Sequence, residues 1–186
     1  MSKIGVEGLT IYPLTADSES DLAYGSGTSV PGTVNIDISP ATNSNTLYAD
    51  NLAYETAVAL GEISVTIEQA DLPKAVQAVL LGHTVDITTG ELICKASDVA
   101  PYVGIAFKAL KGNGAYRYVK LCKGRFSDSD DSYSTKTDTP EFQTQSITGT
   151  FIARQNDKQW KRTIDSDDSD SGASATIAGW FTSFEG

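Results

Sequence analysis

Two runs of alternating apolar and polar residues lie in the first half of the chain, and they constrain its fold more than any other feature. The runs cover residues 33–39 and 62–68. Strict alternation predicts β-strands with one buried and one exposed face. The polar segment between them, from Pro40 to about Leu60 (40–60), is predicted to be a long loop. Loops of about twenty residues are uncommon in compact domains unless they are functional or disordered. Because no catalytic motif lies on this one, we expect it to act on another molecule.

A short helix is expected after the second strand, over residues 71–81. Asp71 is placed to cap its start, Pro73 is tolerated in its first turn, and Gly82 suits a left-handed residue after its end. The apolar side chains of this segment fall on one helical face. The helix is therefore predicted to pack against a sheet.

Strand patterns dominate the remainder of the chain. Residues 102–110 and 116–126 are expected to form a hairpin around residues 112–114, Gly-Asn-Gly, because these residues adopt the positive φ of a tight turn. A further strand is predicted over residues 141–154. The predicted fold class is mainly β, a β-sandwich or barrel of two packed antiparallel sheets with one flanking α-helix.

Composition changes near the C-terminus. Residues 1–160 are predicted to form one β domain, and residues 161–186 an acidic, Ser- and Asp-rich segment with a short helix within residues 173–184. Trp180 and Phe184 are unusual in so polar a segment. Docking of these aromatic side chains on the protein's own surface is favoured over docking on a neighbour.

Residues that carry catalytic or metal chemistry are few and poorly spaced. His83 is the only histidine, and we expect it to help cap the helix rather than to catalyse. Cys94 and Cys122 lack the spacing of a disulfide framework or a zinc site, and they are interpreted as small buried or half-buried residues, with a disulfide between them left open. The acidic run at residues 165–170 does not fit the spacing of a calcium loop. No enzymatic activity, cofactor or metal site is predicted.

Charge is distributed unevenly along the chain. The formal net charge is −10, and residues 1–73 hold ten acidic residues against Lys3 alone. This excess of acid argues against general affinity for nucleic acid. Residues 99–127, in contrast, contain six basic residues and no acidic one. These residues of the basic hairpin are Lys108, Lys111, Arg117, Lys120, Lys123 and Arg125.

Two classes of function are open at this point. An acidic half and a basic hairpin favour head-to-tail contacts between copies of a self-assembling structural protein, although a solvated strand edge protected by lysines explains the hairpin equally well. The alternative is a monomeric β-sandwich module that binds a ligand or carbohydrate. That module is expected to be exported, and the first residues lack the apolar region of a secretory signal. No run of about 18 apolar residues is present, so no membrane span is predicted.

Six short motifs occur in order between residue 4 and about residue 160. They are Ile4-Gly5 with Tyr12-Pro13-Leu14, LYADNLAYE at residues 47–55, LLGH at 80–83, DVAPYVG at 98–104, EFQT at 141–144, and Gly149-Thr150. In their order and spacing, rather than singly, these motifs resemble the major tail proteins of siphophages, the phi13-type tail tube protein family.

This resemblance implies a phage tail tube protein fold and a structural role without enzymatic activity. It implies homohexameric rings, stacked into a hollow tube through which DNA passes from capsid to host. The implied partners are further copies of the chain, the tape measure protein and the tail terminator, with no cofactor, no membrane and no specific binding of DNA. The implied location is the host cytoplasm during assembly and then the tail of the virion.

The resemblance also suggests roles for individual residues. The long loop is expected to reach the adjacent ring through Tyr48, Asp50, Asn51, Leu52 and Tyr54. The basic hairpin is expected to meet acidic groups of neighbouring subunits. Polar strand faces are expected to line the bore, because a bore rich in Lys or Arg would bind the phosphates of passing DNA. The candidate lining residues are Glu62, Ser64, Thr66 and Glu68, or Gln143 and Gln145.

Overall fold

A computed structural model describes residues 2–49, 52–128, 135, 143–170 and 172–185. Its strands are β1 (Lys3–Asp17), β2 (Leu22–Tyr24), β3 (Thr28–Ser29), β4 (Thr33–Ala49), β5 (Leu52–Gln69), β6 (Thr84–Val85), β7 (Leu92–Ile93), β8 (Val103–Lys111), β9 (Tyr116–Phe126), β10 (Gln145–Ile152) and β11 (Lys161–Asp165). Its helices are α1 (Lys74–Leu81) and α2 (Ala173–Ala178), neither of them long and apolar enough to cross a membrane. Strands hold 54% of the residues and helices 8%, which confirms the predicted mainly β fold.

One large antiparallel sheet contains nine of the described strands. Its main path runs β2-β1-β8-β9-β10-β5-β4, while β3 pairs with β1 and β11 pairs with β9. The strand β9 is shared, because residues 117–121 pair with β11 and residues 123–126 pair with β10. The sheet therefore forks at β9. The strands β6 and β7 form a small second sheet.

The hydrophobic core lies between the two halves of the large sheet. Leu9 on β1 and Ile105 on β8 belong to the same buried cluster as Ile63 and Val65 on β5. Leu80 of α1 joins them. Full burial of a side chain of this size contributes about 1.5–3 kcal/mol. The two packed layers thus arise from one sheet that folds back on itself, with α1 against it.

The helix α1 begins later than predicted. Pro73 precedes its first residue and no side chain caps it, so Asp71 is not the cap. The predicted end is confirmed, because Gly82 adopts a left-handed φ of 77°. A Cβ at this position would lie 2.5 Å from the carbonyl oxygen of Val99. Glycine is therefore needed here for its φ and for the space.

Residues 40–60 are not a loop. The strands β4 and β5 continue through this region and pair with each other as far as Ala49 and Leu52. Residues 41–60, which we name the arm, form the outer half of this long hairpin. Almost all described side chains of the arm are exposed, so it projects from the core as a two-stranded ribbon. Ten residues of extended chain give it a length of about 30 Å.

Other boundaries differ from the sequence-based expectations. The first strand, β1, extends well beyond its apolar centre, and the polar segment 16–32 contains β2 and β3. The last predicted strand is observed as β10, while residues 141–142 lie outside the described residues. The hairpin of β8 and β9 around residues 112–114 is confirmed.

The C-terminal segment packs on the large sheet. Its strand β11 pairs with β9, and α2 leads into Trp180 and Phe184. Both aromatic side chains are buried in a second core cluster with Tyr12 and Cys122. The expectation that they dock on the protein's own surface is confirmed. The helix itself is shorter than the predicted range of residues 173–184.

Candidate functional site

The arm carries large apolar side chains that the rest of the described chain leaves uncovered. Leu52, Tyr54 and Val58 are 72%, 76% and 67% exposed, and Leu47 and Leu60 are exposed as well. Single exposed apolar residues are normal on a protein surface. A contiguous set along one ribbon instead marks an interaction site. The arm is therefore the first candidate assembly surface.

The structure describes part of the predicted contact set on the arm. Leu52 and Tyr54 are exposed on β5, and Tyr48 lies in β4 near the end of the hairpin. Asp50 and Asn51 lie outside the described residues. The sequence interpretation missed Val58 and Leu60. Their signal was the recurrence of a large side chain at nearly every second position from residue 52 to residue 60.

One face of the arm continues the core-facing side of the sheet. Side chains alternate along a strand, so Thr42 and Ser44 share a face of β4 with Ile38, which packs on the core. The register shifts by one residue of β5 between Pro40 and Thr42, so Leu60 rather than Gly61 is the cross-strand partner of Thr42 and lies on the face opposite to Glu62. Val58 is the partner of Ser44. The apolar side of the sheet therefore extends beyond the body of the protein.

The body of the sheet presents a polar face on its outer side. Four predicted bore residues alternate along β5 with buried aliphatic residues, and the structure brings them onto this one face: Glu62, Ser64, Thr66 and Glu68. Their cross-strand partners are Ser146, Thr148 and Thr150 on β10, and Asn35, Asp37 and Ser39 on β4. We name these ten residues the polar face.

Hydrogen bonds tie the polar face together. The hydroxyl groups of Thr66 and Thr148 lie 3.3 Å apart, and Thr144 donates to a Glu68 carboxylate oxygen at 2.6 Å. The sequences of β4, β5 and β10 contain no lysine or arginine. The polar face therefore offers hydroxyl and carboxylate groups but no cation of its own.

Gln145 does not share the polar face. It pairs with the buried Gln69, and its Oε1 accepts a hydrogen bond from the backbone N–H of Leu72 at 3.2 Å. This contact fixes the connection into α1. Gln143 is exposed but precedes β10. On β10 the polar face is formed by the even-numbered residues Ser146, Thr148 and Thr150, so the two odd-numbered glutamines do not belong to it.

A comparison with known families agrees with this geometry. A family model described as phage tail tube protein matches residues 23–183, which include the arm and the whole polar face. The chain belongs to this family. The resemblance seen in the sequence motifs is thereby confirmed. No curated protein sequence gives a significant match.

Membership gives this tail tube protein a structural role in the tail of the virion. The role is that of a structural component that assembles with itself and with other tail components. The arm and the polar face are therefore candidate surfaces for assembly.

The basic hairpin of the tail tube protein is largely paired within the subunit. Lys111 and Arg117 both contact Asp165 at 2.7 Å, and Lys111 also contacts Asp167. The hydrogen bonds from Arg117 and Lys111 hold the pKa of Asp165 well below its usual range. Asp165, Asp167 and Asp168 lie close enough to hold a metal ion, but the ammonium group of Lys111 already pairs with Asp165 and Asp167.

Two further lysines of the hairpin reach β1. Lys123 contacts the buried carboxylate of Asp17 at 2.6 Å. Although burial opposes ionisation of Asp17, hydrogen bonds from Lys123 and from two backbone N–H groups lower its pKa. Lys108 lies 3.5 Å from Glu7. These pairs attach the hairpin to its neighbouring strand.

Buried cations anchor the C-terminal residues. Lys120 is 0% exposed, and its ammonium group donates to the carbonyl oxygens of Ser183 at 3.1 Å and Phe184 at 2.7 Å. Burial lowers its pKa to about 8. Arg154, also buried, pairs with Glu185. Both cations are buried, so they stabilise the folded subunit and are not available for contacts at its surface.

Arg125 differs from the other five basic residues of the hairpin. It is exposed, its guanidinium group lies 3.9 Å from the centre of the Tyr102 ring, and no ion pair joins it to a carboxylate of the described residues. Its backbone pairs with Thr150 of the polar face. It is thus a cation at the border of that face.

His83 has a different role from the expected helix cap. Its Nδ1 lies 3.0 Å from Asp98 and its Nε2 lies 3.2 Å from Asp128. The hydrogen bond with Asp98, supported by Asp128, raises the pKa of the imidazole. The ring connects the end of α1 to residues on either side of the β8–β9 hairpin.

The two cysteines are both free. Cys122 is buried, as expected, whereas Cys94 is exposed. Burial raises the pKa of the Cys122 thiol to about 11, which keeps it protonated and unreactive at neutral pH.

Proposed function

We propose that this tail tube protein forms homohexameric rings that stack into a hollow tube, and that DNA passes through the bore from capsid to host. Family membership supports the tube. The observation that carries self-assembly is the arm, a ribbon about 30 Å long whose apolar side chains are uncovered. A monomeric binding module would leave this surface in water, so the arm favours the assembling protein over the module.

In this proposal the arm reaches the adjacent ring. Tyr48, Leu52 and Tyr54 are proposed to provide large contact areas, and Asp50 and Asn51, which lie outside the described residues, to provide polar contacts. The pairing of β4 with β5 along the whole arm supports this role. A paired ribbon keeps its shape before it binds, so less conformational entropy is lost on contact than with a flexible loop.

The polar face is proposed to line the bore. Glu62, Ser64, Thr66 and Glu68 repel phosphate or bind it weakly, so DNA passes without the counterion release that drives tight binding. Arg125 is the hairpin cation proposed to meet an acidic group of the neighbouring subunit. For the other five basic residues, partners within the subunit make a direct contact between subunits less favourable.

The remaining partners follow from the position of the subunit in a tail. The tape measure protein is proposed to occupy the bore during assembly, and the tail terminator to bind the last ring. Assembly is proposed to take place in the host cytoplasm before the tail joins the virion.

Light scattering after size-exclusion chromatography, over a range of concentrations, tests the proposal together with negative-stain microscopy. We expect rings with sixfold symmetry and tubes that lengthen as the concentration rises. A monomer that persists at high concentration would overturn the tube and restore the binding module. Rings of another symmetry would overturn the hexamer alone.

A further inference from the structure

A groove of about 790 Å³ lies between the edge strand β4 and the start of β1. These two strands are not paired in the described sheet, so the fold stays open along this edge. Ile38, Phe107 and Val119 are among the residues that form its apolar lining. Ile4 and Val34, at 66% and 50% exposed, also border it. The groove thus offers apolar side chains beside polar ones, and the described chain leaves it uncovered.

The groove also carries an excess of positive charge. Lys3, Arg117 and Lys161 line it. Partial burial and the nearby charges of Lys3 and Arg117 lower the pKa of Lys161, so the three cations lie within electrostatic reach of one another. Among the described carboxylates, none forms an ion pair with Lys3 or Lys161, whereas Arg117 pairs with Asp165. Asp37 is the one acid in the lining.

A segment that fits this groove must be apolar and acidic. The arm has this composition, because it carries Leu52, Tyr54 and Val58 together with Glu55 and contains no lysine or arginine. The arm of the same subunit leaves the body beside the groove and continues outward as a paired ribbon. Folding it back would break that pairing, so the segment has to come from another copy.

We propose that the arm of one copy docks in this groove of a second copy, with Val58 on the apolar side chains of one wall and Glu55, on the opposite face of the ribbon, facing Lys3 and Lys161 on the other. This inference rests on the proposed function and gives the arm its receptor. Each copy then offers one arm and one groove. Such a head-to-tail contact repeats without closing, which is the requirement for growth of a tube.

Cross-linking of two different variants tests the contact directly. Both carry Cys94→Ser, and one adds Val58→Cys on the arm while the other adds Ile4→Cys at the groove. The buried Cys122 stays unreactive. After mixing, assembly and mild oxidation, we expect a disulfide-linked dimer of the two variants. Ile87→Cys, at a site that is 97% exposed and outside the groove, is the matched control for Val58→Cys.

Two results of this experiment would overturn the docking. One is a heterodimer no more abundant than with the Ile87→Cys control. The other is Ile4→Cys linking to a second Ile4→Cys, which would place the body of a neighbour in the groove. If the wild-type protein forms no tubes at all, the proposed function fails first. If tubes form without this cross-link, only the docking fails.

Reversal of the charges on the groove and on the arm provides a second test. Lys3→Glu with Lys161→Glu reverses two exposed charges, so the fold should be unchanged by circular dichroism. We expect the protein concentration needed for tubes to rise by about tenfold, as unlike charges become like charges at the contact. Adding Glu55→Lys should restore most of this loss. Normal assembly of the double variant, or no rescue by Glu55→Lys, would contradict the proposal.

Discussion

Lys120 carries a charge in the interior of the subunit, held by two carbonyl oxygens and by the Trp180 ring at 4.6 Å. Its pKa of about 8 lies below the 10.5 of an exposed lysine, so between these pH values the unfolded chain binds a proton that the folded chain does not. Stability attributed to Lys120 therefore increases as the pH rises through this window. Lys120→Met removes the titrating group.

The prediction concerns the difference in unfolding free energy between wild type and Lys120→Met. Urea unfolding at pH 7 and at pH 10 should show that the wild type gains stability relative to the variant as the pH rises. At neutral pH the variant leaves the carbonyl oxygens of Ser183 and Phe184 without their donor, at a cost of about 1–3 kcal/mol each, offset by removal of a buried charge. A difference that does not change with pH would contradict the assignment.

Arg125 is the residue at which charge reversal reports on contacts between subunits. Arg125→Glu alters an exposed side chain, so the melting temperature should stay within a few degrees of wild type while polymerisation is impaired. Lys120→Glu should instead prevent folding, because it places a carboxylate against two carbonyl oxygens. Thermal melts and electron micrographs separate these effects. Tubes of normal length from Arg125→Glu would exclude it from the interface.

His83 offers a direct measurement, because no other histidine contributes to the spectrum. Proton NMR of the imidazole should give a pKa above 6.5, owing first to the hydrogen bond with Asp98 and then to Asp128. A raised pKa means that its stabilising effect is present below pH 6.5 and is lost as the pH rises through the folded value. Asp98→Asn should bring the midpoint down. A wild-type midpoint at or below 6.5 would show that the carboxylates do not engage the ring.

At the scale of secondary-structure elements, substitutions in the arm allow assembly to be tested without a change in folding. Leu52→Ser with Val58→Ser removes two exposed apolar side chains, so the free energy of unfolding should change by less than about 1 kcal/mol. Under the proposed function, ring stacking should be lost, because the contact between rings would lose the apolar area of these two side chains. Ile87→Ser is the matched control, since Ile87 is also exposed but lies outside the arm. Sedimentation and micrographs provide the readout, and tubes from the double variant equal to those of the control would contradict it.

The local sequence pattern was sufficient to predict some secondary-structure elements but not others. The turn at residues 112–114 and the end of α1 were predictable because each contains a glycine with positive φ, Gly114 and Gly82, although Gly112 and Asn113 do not adopt the positive φ expected of them. The arm was mistaken for a loop because a ribbon exposed on both faces needs no buried side, and residues 41–46 are small and polar. Its second strand did alternate, with large side chains at residues 52, 54, 58 and 60.

The candidate surfaces were predictable to the extent that they lie on one strand. The alternation of β5 correctly placed Glu62, Ser64, Thr66 and Glu68 on one face, opposite the buried Ile63, Val65 and Ile67. The face of β10 depends on its register with β5, and Gln145 falls on the other side. Partners of the basic hairpin lie far away in sequence, with Asp17 106 residues from Lys123. Only the fold brings such pairs together.

At the scale of the whole molecule, the basic and the acidic side chains lie on different surfaces of the subunit. Five of the six hairpin cations are paired inside the subunit, Lys3 and Lys161 lie at the groove, and Arg125 lies at the border of the polar face, which itself has hydroxyl and carboxylate groups. A ring of such subunits that turns the polar face inward has a bore that does not hold DNA. This arrangement follows from one sheet whose β4, β5 and β10 strands lack basic residues and whose β8 and β9 strands carry them.

Placing cations on the polar face tests which surface meets the DNA. Ser64→Lys with Thr148→Lys adds two exposed charges per subunit without touching the core. If this face lines the bore, each ring gains a closely spaced set of cations, and counterion release makes the tubes retain short duplex DNA at low salt and release it at high salt. Ser20→Lys, an exposed position away from the polar face, controls for added charge elsewhere. Co-sedimentation of DNA with purified tubes measures the retention. Because the double variant differs from wild type only on this face, equal retention by both would mean that DNA passes along another surface.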